Sequence, residues 1–159
     1  MSEPVWKVHS RKVVFDQSPW LRVEWHDVEL PDGRRIPDWT WVKTPDYINV
    51  VVETQAGKFL CFRQRKYGVP EPMLALVGGY LEPGEAPLAA AQRELREETG
   101  YVSDEWLGLG EYLVDPNRGV ATGHLYLARA ARYVGEIDSD DLEEQEIVLL
   151  SRAELESAL

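Results

Sequence analysis

Residues 79–101 read GYLEPGEAPLAAAQRELREETGY. The stretch holds five glutamates, and three of them, Glu94, Glu97 and Glu98, fall within five positions. Pro83-Gly84 closes a loop, and Pro87 suits a first helical turn, where its missing N–H has no intrahelical partner to lose. At about 100° per residue, Leu88, Ala91, Gln92, Leu95 and Thr99 lie on one stripe, which predicts a helix over 86–99 with that stripe on the core. Gly100 then supplies a left-handed cap. The three glutamates share the flank beside the stripe. Like charges at this spacing cost about 0.2–0.5 kcal/mol each in an exposed helix. Arg93 and Arg96 can offset that, so a solvated charged face is one reading. A cation held by the carboxylates is the other.

Outward from the helix, the chain reads as strands and turns. Before it come VWKVHS, RKVVF, WLRVEWHDVEL and RRIPDWTWVK, all within residues 5–43. In the third, Leu21, Val23 and Trp25 alternate with polar neighbours, the pattern of a half-buried strand. Pro31-Asp32-Gly33 predicts a tight turn into the next strand. Pro45-Asp46 marks a boundary, followed by a hairpin of YINVVVET and KFLCFRQRKY around Ala56-Gly57. Further strands are predicted at 73–78, 106–113, 122–130 and 145–150, and a second helix at 151–158. The simplest account is an α+β domain at 46–159 preceded by a small antiparallel β appendage at 1–45.

Composition narrows the function. The chain of 159 residues suits one core with a small addition, and its 44% apolar content is that of a globular protein. A net charge of −11 argues against a nucleic-acid binder, which would present a basic face. No apolar run approaches the roughly 20 residues of a membrane helix. The N-terminal MSEPVWKVHS lacks the plan of a secretion signal. Cys61 is the single cysteine, which rules out a disulfide within the chain. A cytoplasmic protein is expected. Residues 136–146, EIDSDDLEEQE, place seven acids in eleven positions and read first as a solvated acidic loop.

The spacing within 79–101 is more specific than the helix. Gly79, five residues, Glu85, seven residues, then Arg93-Glu94-Leu95-Arg96-Glu97-Glu98-Thr99-Gly100-Tyr101 resembles the box of the Nudix hydrolases, with Tyr101 where an aliphatic residue is usual. The resemblance implies an α/β/α sandwich with a mixed sheet, built around a loop–helix–loop that binds Mg²⁺, with Mn²⁺ as the alternative, and splits a diphosphate. By the same resemblance Glu94, Glu97 and Glu98 bind metal, and the carbonyl of Gly78 adds a ligand. Glu85 and Arg93 form a structural pair that pins the loop. The physics agrees, because Mg²⁺ prefers oxygen ligands and usually binds through carboxylates and substrate phosphates.

Outside the box, three features resemble the ADP-ribose and nucleoside-diphosphate-sugar pyrophosphatases. PWLRVEWHDVELPDG looks like their appendage, which builds a dimer in that group and implies a homodimer here. FRQRKYG at 62–68 resembles their Arg-Gln-aromatic-Arg stretch, with Arg65 in the aromatic place and Lys66 in that of the arginine. Arg63 is the expected substrate-binding residue, since a guanidinium fork can make two charge-assisted bonds to a diphosphate. Pro116, fifteen residues past Tyr101, has the spacing associated with ADP-ribose hydrolysis. Ala75-Leu76-Val77-Gly78 departs from the group's Glu-x-Pro-Ala, and Asn117 and Ala121 stand where it often has a glycine and an acid. These departures leave the reaction intact and keep GDP- or UDP-linked sugars as competing substrates.

In the same group a glutamate ahead of the last strand supplies the catalytic base or a further metal ligand, and EEQEIVLLS matches that place. Glu144 and Glu146, two apart, point the same way if extended. The favoured reading takes Glu144 as base and Glu146 as metal ligand, with Glu143 and Asp141 as alternatives; Glu144 and Glu98 are then the candidate catalytic residues. Trp20, Trp25, Trp39 and Trp41 could stack on a nucleobase or fill a core or interface, and His124 is read as structural. Two other classes compete. One is a hydrolase of oxidised nucleoside triphosphates, which residues 1–45 argue against. The other is a non-catalytic ADP-ribose sensor, which the intact box argues against.

Overall fold

The computed structural model describes residues 6–135, 137 and 145–158. Among them the chain forms two compact units. One comprises the residues up to Asp46 together with Tyr112–Thr122, and the other Tyr47–Glu111 with those from Gly123 onward.

The first unit holds a three-stranded antiparallel sheet in the order β1 (Lys7–Gln17), β2 (Leu21–Glu29), β3 (Arg35–Lys43). The two segments expected as separate strands at 5–15 are one strand. No turn residue interrupts HSRK, and register shifts at Val8/Ser10 and Val13/Phe15 absorb the breaks in pattern. Between β2 and β3, Gly33 donates to the carbonyl of Leu30 at 3.0 Å in the expected turn.

β2 turns the opposite way from its apolar alternation. Glu24, His26 and Val28 are buried, while Trp25 is 44% exposed. A polar face can be buried when its members satisfy one another. Here His26 Nε2 lies 2.9 Å from Glu24 Oε2, Arg22 Nε lies 2.9 Å from Glu24 Oε1, and the Trp41 ring stacks on His26 with centroids 5.2 Å apart. Tyr112–Thr122 completes this unit. Val42 and Thr44 donate to the carbonyls of Arg118 and Val120, each at 2.8 Å. Arg118 covers the Trp39 ring at 4.8 Å, Trp39 Nε1 donates to the carbonyl of Asn117, and Trp41 packs against Gly119. Trp39 and Trp41 are therefore half-buried between β3 and the 112–122 segment.

The hydrogen bond with His26, opposed by burial and aided by Arg22 and Lys43, holds the Glu24 carboxyl below the usual carboxylate range. Replacing Glu24 by Leu strands the buried His26 and frees the part-exposed Arg22, and is expected to cost about 3 kcal/mol in urea unfolding. A depressed folded pKa contributes stability that is complete above the unfolded value, about 4.3, and is lost as pH falls through the lower folded value. The gap between parent and variant should therefore narrow only in acid.

The second unit is a mixed sheet. β4 (Tyr47–Thr54) and β5 (Phe59–Gln64) form the expected hairpin. The strand expected at 73–78 divides at Leu76 into β6 (Met73–Ala75), which pairs with β5, and β7 (Val77–Tyr80), which pairs with β4. After α1 (Pro87–Thr99) come β8 (Tyr101–Val102), β9 (Glu105–Leu113), β10 (Thr122–Tyr133), β11 (Gln145–Leu150) and α2 (Arg152–Ala158). β10 runs parallel to β4, and the main path is β11-β5-β4-β10-β8. β4 is buried at every second residue, with Ile48, Val50 and Val52 facing Leu60, Phe62, Val77, Ala90, Ala91 and Leu95 in one core.

α1 is rotated from the predicted stripe. Ala90, Ala91, Leu95 and Thr99 are buried, whereas Leu88 is 39% exposed and Gln92 lies outside. Small Ala90 lets the helix roll toward β7, on which it packs with β4. The roll carries Glu94 and Glu98 from an outer flank to the edge of the buried face, where both are half-buried. Gly100 closes the helix at φ 69°, the left-handed region that its missing Cβ permits, and its N–H reaches the carbonyl of Arg96 at 2.8 Å.

Candidate active site

Arg93 organises the site. Its Nε and Nη2 donate to the two oxygens of Glu85, each at 3.0 Å, a bidentate fork that also locks the loop because Glu85 Oε2 accepts from the backbone of Glu82 at 3.0 Å. Arg93 Nη1 then reaches Glu94 Oε1 at 2.9 Å and Glu97 Oε2 at 3.2 Å, and Nη2 the carbonyl of Tyr80 at 3.2 Å. The Glu85–Arg93 pair expected from the box is present. Of the two arginines expected to offset the acidic flank, Arg93 reaches both Glu94, its chain neighbour, and Glu97, at the i, i+4 spacing. The Arg93 hydrogen bond outweighs burial and draws the Glu85 carboxyl below its ordinary range.

The strand beneath is built for close approach. A Cβ on Gly79 would overlap Glu94 Oε1, and one on Gly78 would stand 2.8 Å from Asn49 Oδ1 and 2.9 Å from the carbonyl of Ile48. Only glycine lets β7 lie this close to both β4 and the helix. The carboxylate of Glu94 thus sits against the backbone beside Gly78. Glu98 shares the flank, with Oε2 buried. Three carboxylates and a neighbouring carbonyl are hard oxygen donors, which fit a divalent cation such as Mg²⁺. Among the described residues, no group of three or more His, Cys, Asp or Glu side chains converges as a closed ligand set. Arg93 occupies the space between Glu94 and Glu97.

A second cluster lies at the end of β5. A cleft of about 820 Å³ is lined by Arg63, Arg65, Lys66 and Tyr67 on one side and by Gln145 and Glu146 of β11 on the other. β5 and β11 are antiparallel with Arg63 opposite Glu146, and Arg63 Nη1 meets Glu146 Oε2 at 3.2 Å. Arg63 and Glu146, assigned from sequence to substrate and metal, therefore face each other directly. Glu144, with its alternatives Glu143 and Asp141, lies outside the described residues. Pro116 is exposed in the first unit, in a turn where Asn117 donates to Asp115 Oδ1 at 2.9 Å. His124 Nδ1 stands 3.6 Å from Glu111 Oε2.

Residues 43–159 match the NUDIX domain family, and residues 6–42 match the nucleoside diphosphate sugar hydrolase N-terminal domain. The chain belongs to the Nudix hydrolases. This Nudix hydrolase is 32% identical over 133 residues to an ADP-ribose pyrophosphatase of Bacillus subtilis, covering 84% of the chain and 70% of the relative. It is 30% identical over 139 residues to a methanol dehydrogenase activator of Bacillus methanolicus, covering 87% and 74%. A CMP-5'-(N-acetyl-N-hydroxy-3-aminopropyl)phosphonate hydrolase of Streptomyces rubellomurinus is 32% identical over 132 residues, covering 82% of the chain and 62% of the relative. The solved structure of an ADP compounds hydrolase superposes with a TM-score of 0.79 at 20% identity, covering 99% of the chain and 84% of that structure, and establishes the shared fold. No helix among the described residues is long and apolar enough to cross a membrane.

Proposed function

We propose that this Nudix hydrolase cleaves the diphosphate of ADP-ribose or a related nucleoside diphosphate sugar, giving a nucleoside monophosphate and a sugar phosphate. The observation that carries the reading is the carboxylate flank of α1, with Glu94 held by Arg93 against the glycine backbone of β7. Nudix hydrolases generally use a divalent metal. Bound by Glu94, Glu97, Glu98 and the carbonyl of Gly78, Mg²⁺ or Mn²⁺ would neutralise diphosphate charge and lower the pKa of an attacking water. Arg63 orients the diphosphate through its planar fork, Glu85 and Arg93 keep the loop in place, and Pro116 is proposed to bind substrate on its spacing from Tyr101 alone.

Ala75, Leu76, Val77 and Gly78, which depart from the group's pattern before the box, keep GDP- or UDP-linked sugars as the second reading. A hydrolysis screen over ADP-ribose, GDP-mannose, UDP-glucose, NADH and oxidised triphosphates, with Mg²⁺ and Mn²⁺, decides between them. Binding of ADP-ribose without turnover would instead identify a sensor.

Glu144 is the proposed base and Glu146 a metal ligand. Glu144→Gln is expected to lower kcat strongly while substrate still binds, because a base acts by taking a proton. Glu146→Gln should weaken metal affinity and recover in excess Mg²⁺. If a Mg²⁺ titration rescues Glu144→Gln instead, the roles are exchanged.

The first unit is proposed to dimerise with a second copy. Directly opposed residues share a sheet face, and the register Phe15↔Val23↔Val42 with Lys12↔Trp25 gathers an apolar outer face on which Phe15 is 47% and Trp25 44% exposed. Light scattering should give a homodimer; a stable monomer at micromolar concentration would refute it. A single cysteine, Cys61, buried in β5 with its thiol pKa raised by desolvation, accords with work in the reducing cytoplasm.

A further inference from the structure

Arg93 serves two structures with different demands, the loop clasp and the carboxylate flank. Toward Glu85 it makes a fork of two bonds, each at 3.0 Å, and Glu85 is tied in turn to the backbone of Glu82. Toward the flank it has one nitrogen. Nη1 bridges Glu94 Oε1 at 2.9 Å and Glu97 Oε2 at 3.2 Å. A positive group thus stands between two of the carboxylates assigned to the metal.

The two carboxylates are not equally held. The Glu94 side chain is 14% exposed and lies so close to β7 that a Cβ on Gly79 would meet both of its oxygens. The Glu97 side chain is 45% exposed, and its bond to Nη1 is the longer of the two. An ion shared by these side chains needs carboxylate oxygens about 2.1 Å away and pointed at one place. An arginine that merely oriented the ligands, as hydrogen-bonded neighbours of metal sites often do, would leave their other oxygens pointing there. Glu94, Glu97 and Glu98 do not converge in this way. One of them has to turn, and Glu97 is the one with room to do so.

We propose that Arg93 is a latch on Glu97: it holds this carboxylate away from the other ligands, gives it up when a divalent cation binds, and keeps Glu85 throughout. The inference rests on the metal-dependent hydrolase reading and adds a competition between the protein's own guanidinium and the ion. The clasp and the metal site then share one group, so weakening the latch must strengthen metal binding.

Two measurements with Mg²⁺ alone test it, and neither reads turnover. In calorimetry Arg93→Met should bind Mg²⁺ about twofold to fivefold more tightly than the parent, the span of one exposed ion pair. An orienting arginine implies the reverse, so equal or weaker binding by the folded variant overturns the latch. A circular dichroism melt checks that Arg93→Met is folded at the temperature of the titration. The parent protein supplies the second reading, which stands whether or not that variant folds. Its guanidinium signals are assigned in ¹⁵N spectra as those lost in Arg93→Lys. As Mg²⁺ saturates, an Nη1 hydrogen should lose its protection from exchange with water, while the Nε hydrogen bonded to Glu85 keeps its own. Undisturbed protection at Nη1 with Mg²⁺ bound overturns the proposal, as does loss at Nε. A parent and variant that both bind no Mg²⁺ would remove the metal reading itself, a result distinct from binding that leaves Nη1 unchanged.

Discussion

Replacing Glu98 by Gln is expected to lower turnover about a hundredfold or more, because activation by a bound cation contributes several kcal/mol to transition-state stabilisation. The substitution keeps the size of the side chain and its helix propensity and removes one of three neighbouring like charges on α1. The fold should therefore survive, and a thermal melt should match that of the parent. Measuring kcat across a metal titration, beside that melt, separates loss of chemistry from loss of structure. A Glu98→Gln protein that hydrolyses at the parent rate would refute the metal assignment.

The second large effect belongs to Arg93. Its guanidinium makes five hydrogen bonds, to Glu85 twice, to Glu94, to Glu97 and to the carbonyl of Tyr80. Arg93→Met keeps the stem and removes the fork. It leaves Glu85, whose side chain is only 15% exposed, without its cation, and returns the repulsion between Glu94 and Glu97. A loss of about 3 kcal/mol is expected, since bonds to charged groups contribute roughly 1.5–3 kcal/mol each and do not add fully. For a chain of this size that corresponds to a melting point lower by roughly 6–12 °C. Arg93→Lys should not restore it, because a point charge cannot reproduce two parallel bonds. The pH dependence has a definite sign. Glu85 has a depressed folded pKa, so its contribution is complete above about pH 4.3 and disappears as pH falls through the folded value. The difference between parent and variant should shrink in acid and stay constant at neutral pH. Equal melting points at pH 7 would show that the clasp does not hold the loop.

The helix, its cap and the two hairpin turns were legible because each rests on local chemistry. Pro87, Gly100, Gly57 and Gly33 act where they stand. What the sequence hid was relational. The roll of α1 depends on Ala90 against β7, and nothing in the helix's own periodicity says how close that strand will come. The inward face of β2 is a sharper case. Hydrophobic alternation puts Val23 and Trp25 inside, yet Glu24 and His26 are buried because Arg22 and Trp41 complete them. Trp41 comes from another strand, and no count of apolar residues along β2 could reveal it. In the site, the Glu85–Arg93 contact was legible from the box. The contact of Arg63 with Glu146 joins positions 83 apart in sequence and appears only when β5 and β11 are laid in register.

The dependence of the first unit on residues 112–122 has a consequence for how the chain acquires its shape. The partner of Trp39 Nε1 is the carbonyl of Asn117, 78 positions later, and the N–H groups of Val42 and Thr44 donate to the carbonyls of Arg118 and Val120. During synthesis from the N-terminus, β1, β2 and β3 can pair early through short turns, but Trp39 and Trp41 lack their partners until the β9–β10 connection has left the ribosome. At roughly 5–20 residues per second that interval is several seconds long, ample for hairpins that form in microseconds. The unit that begins the chain is thus among the last to be finished. A fragment ending at Asp46 would keep the strands and lack the lid of their core.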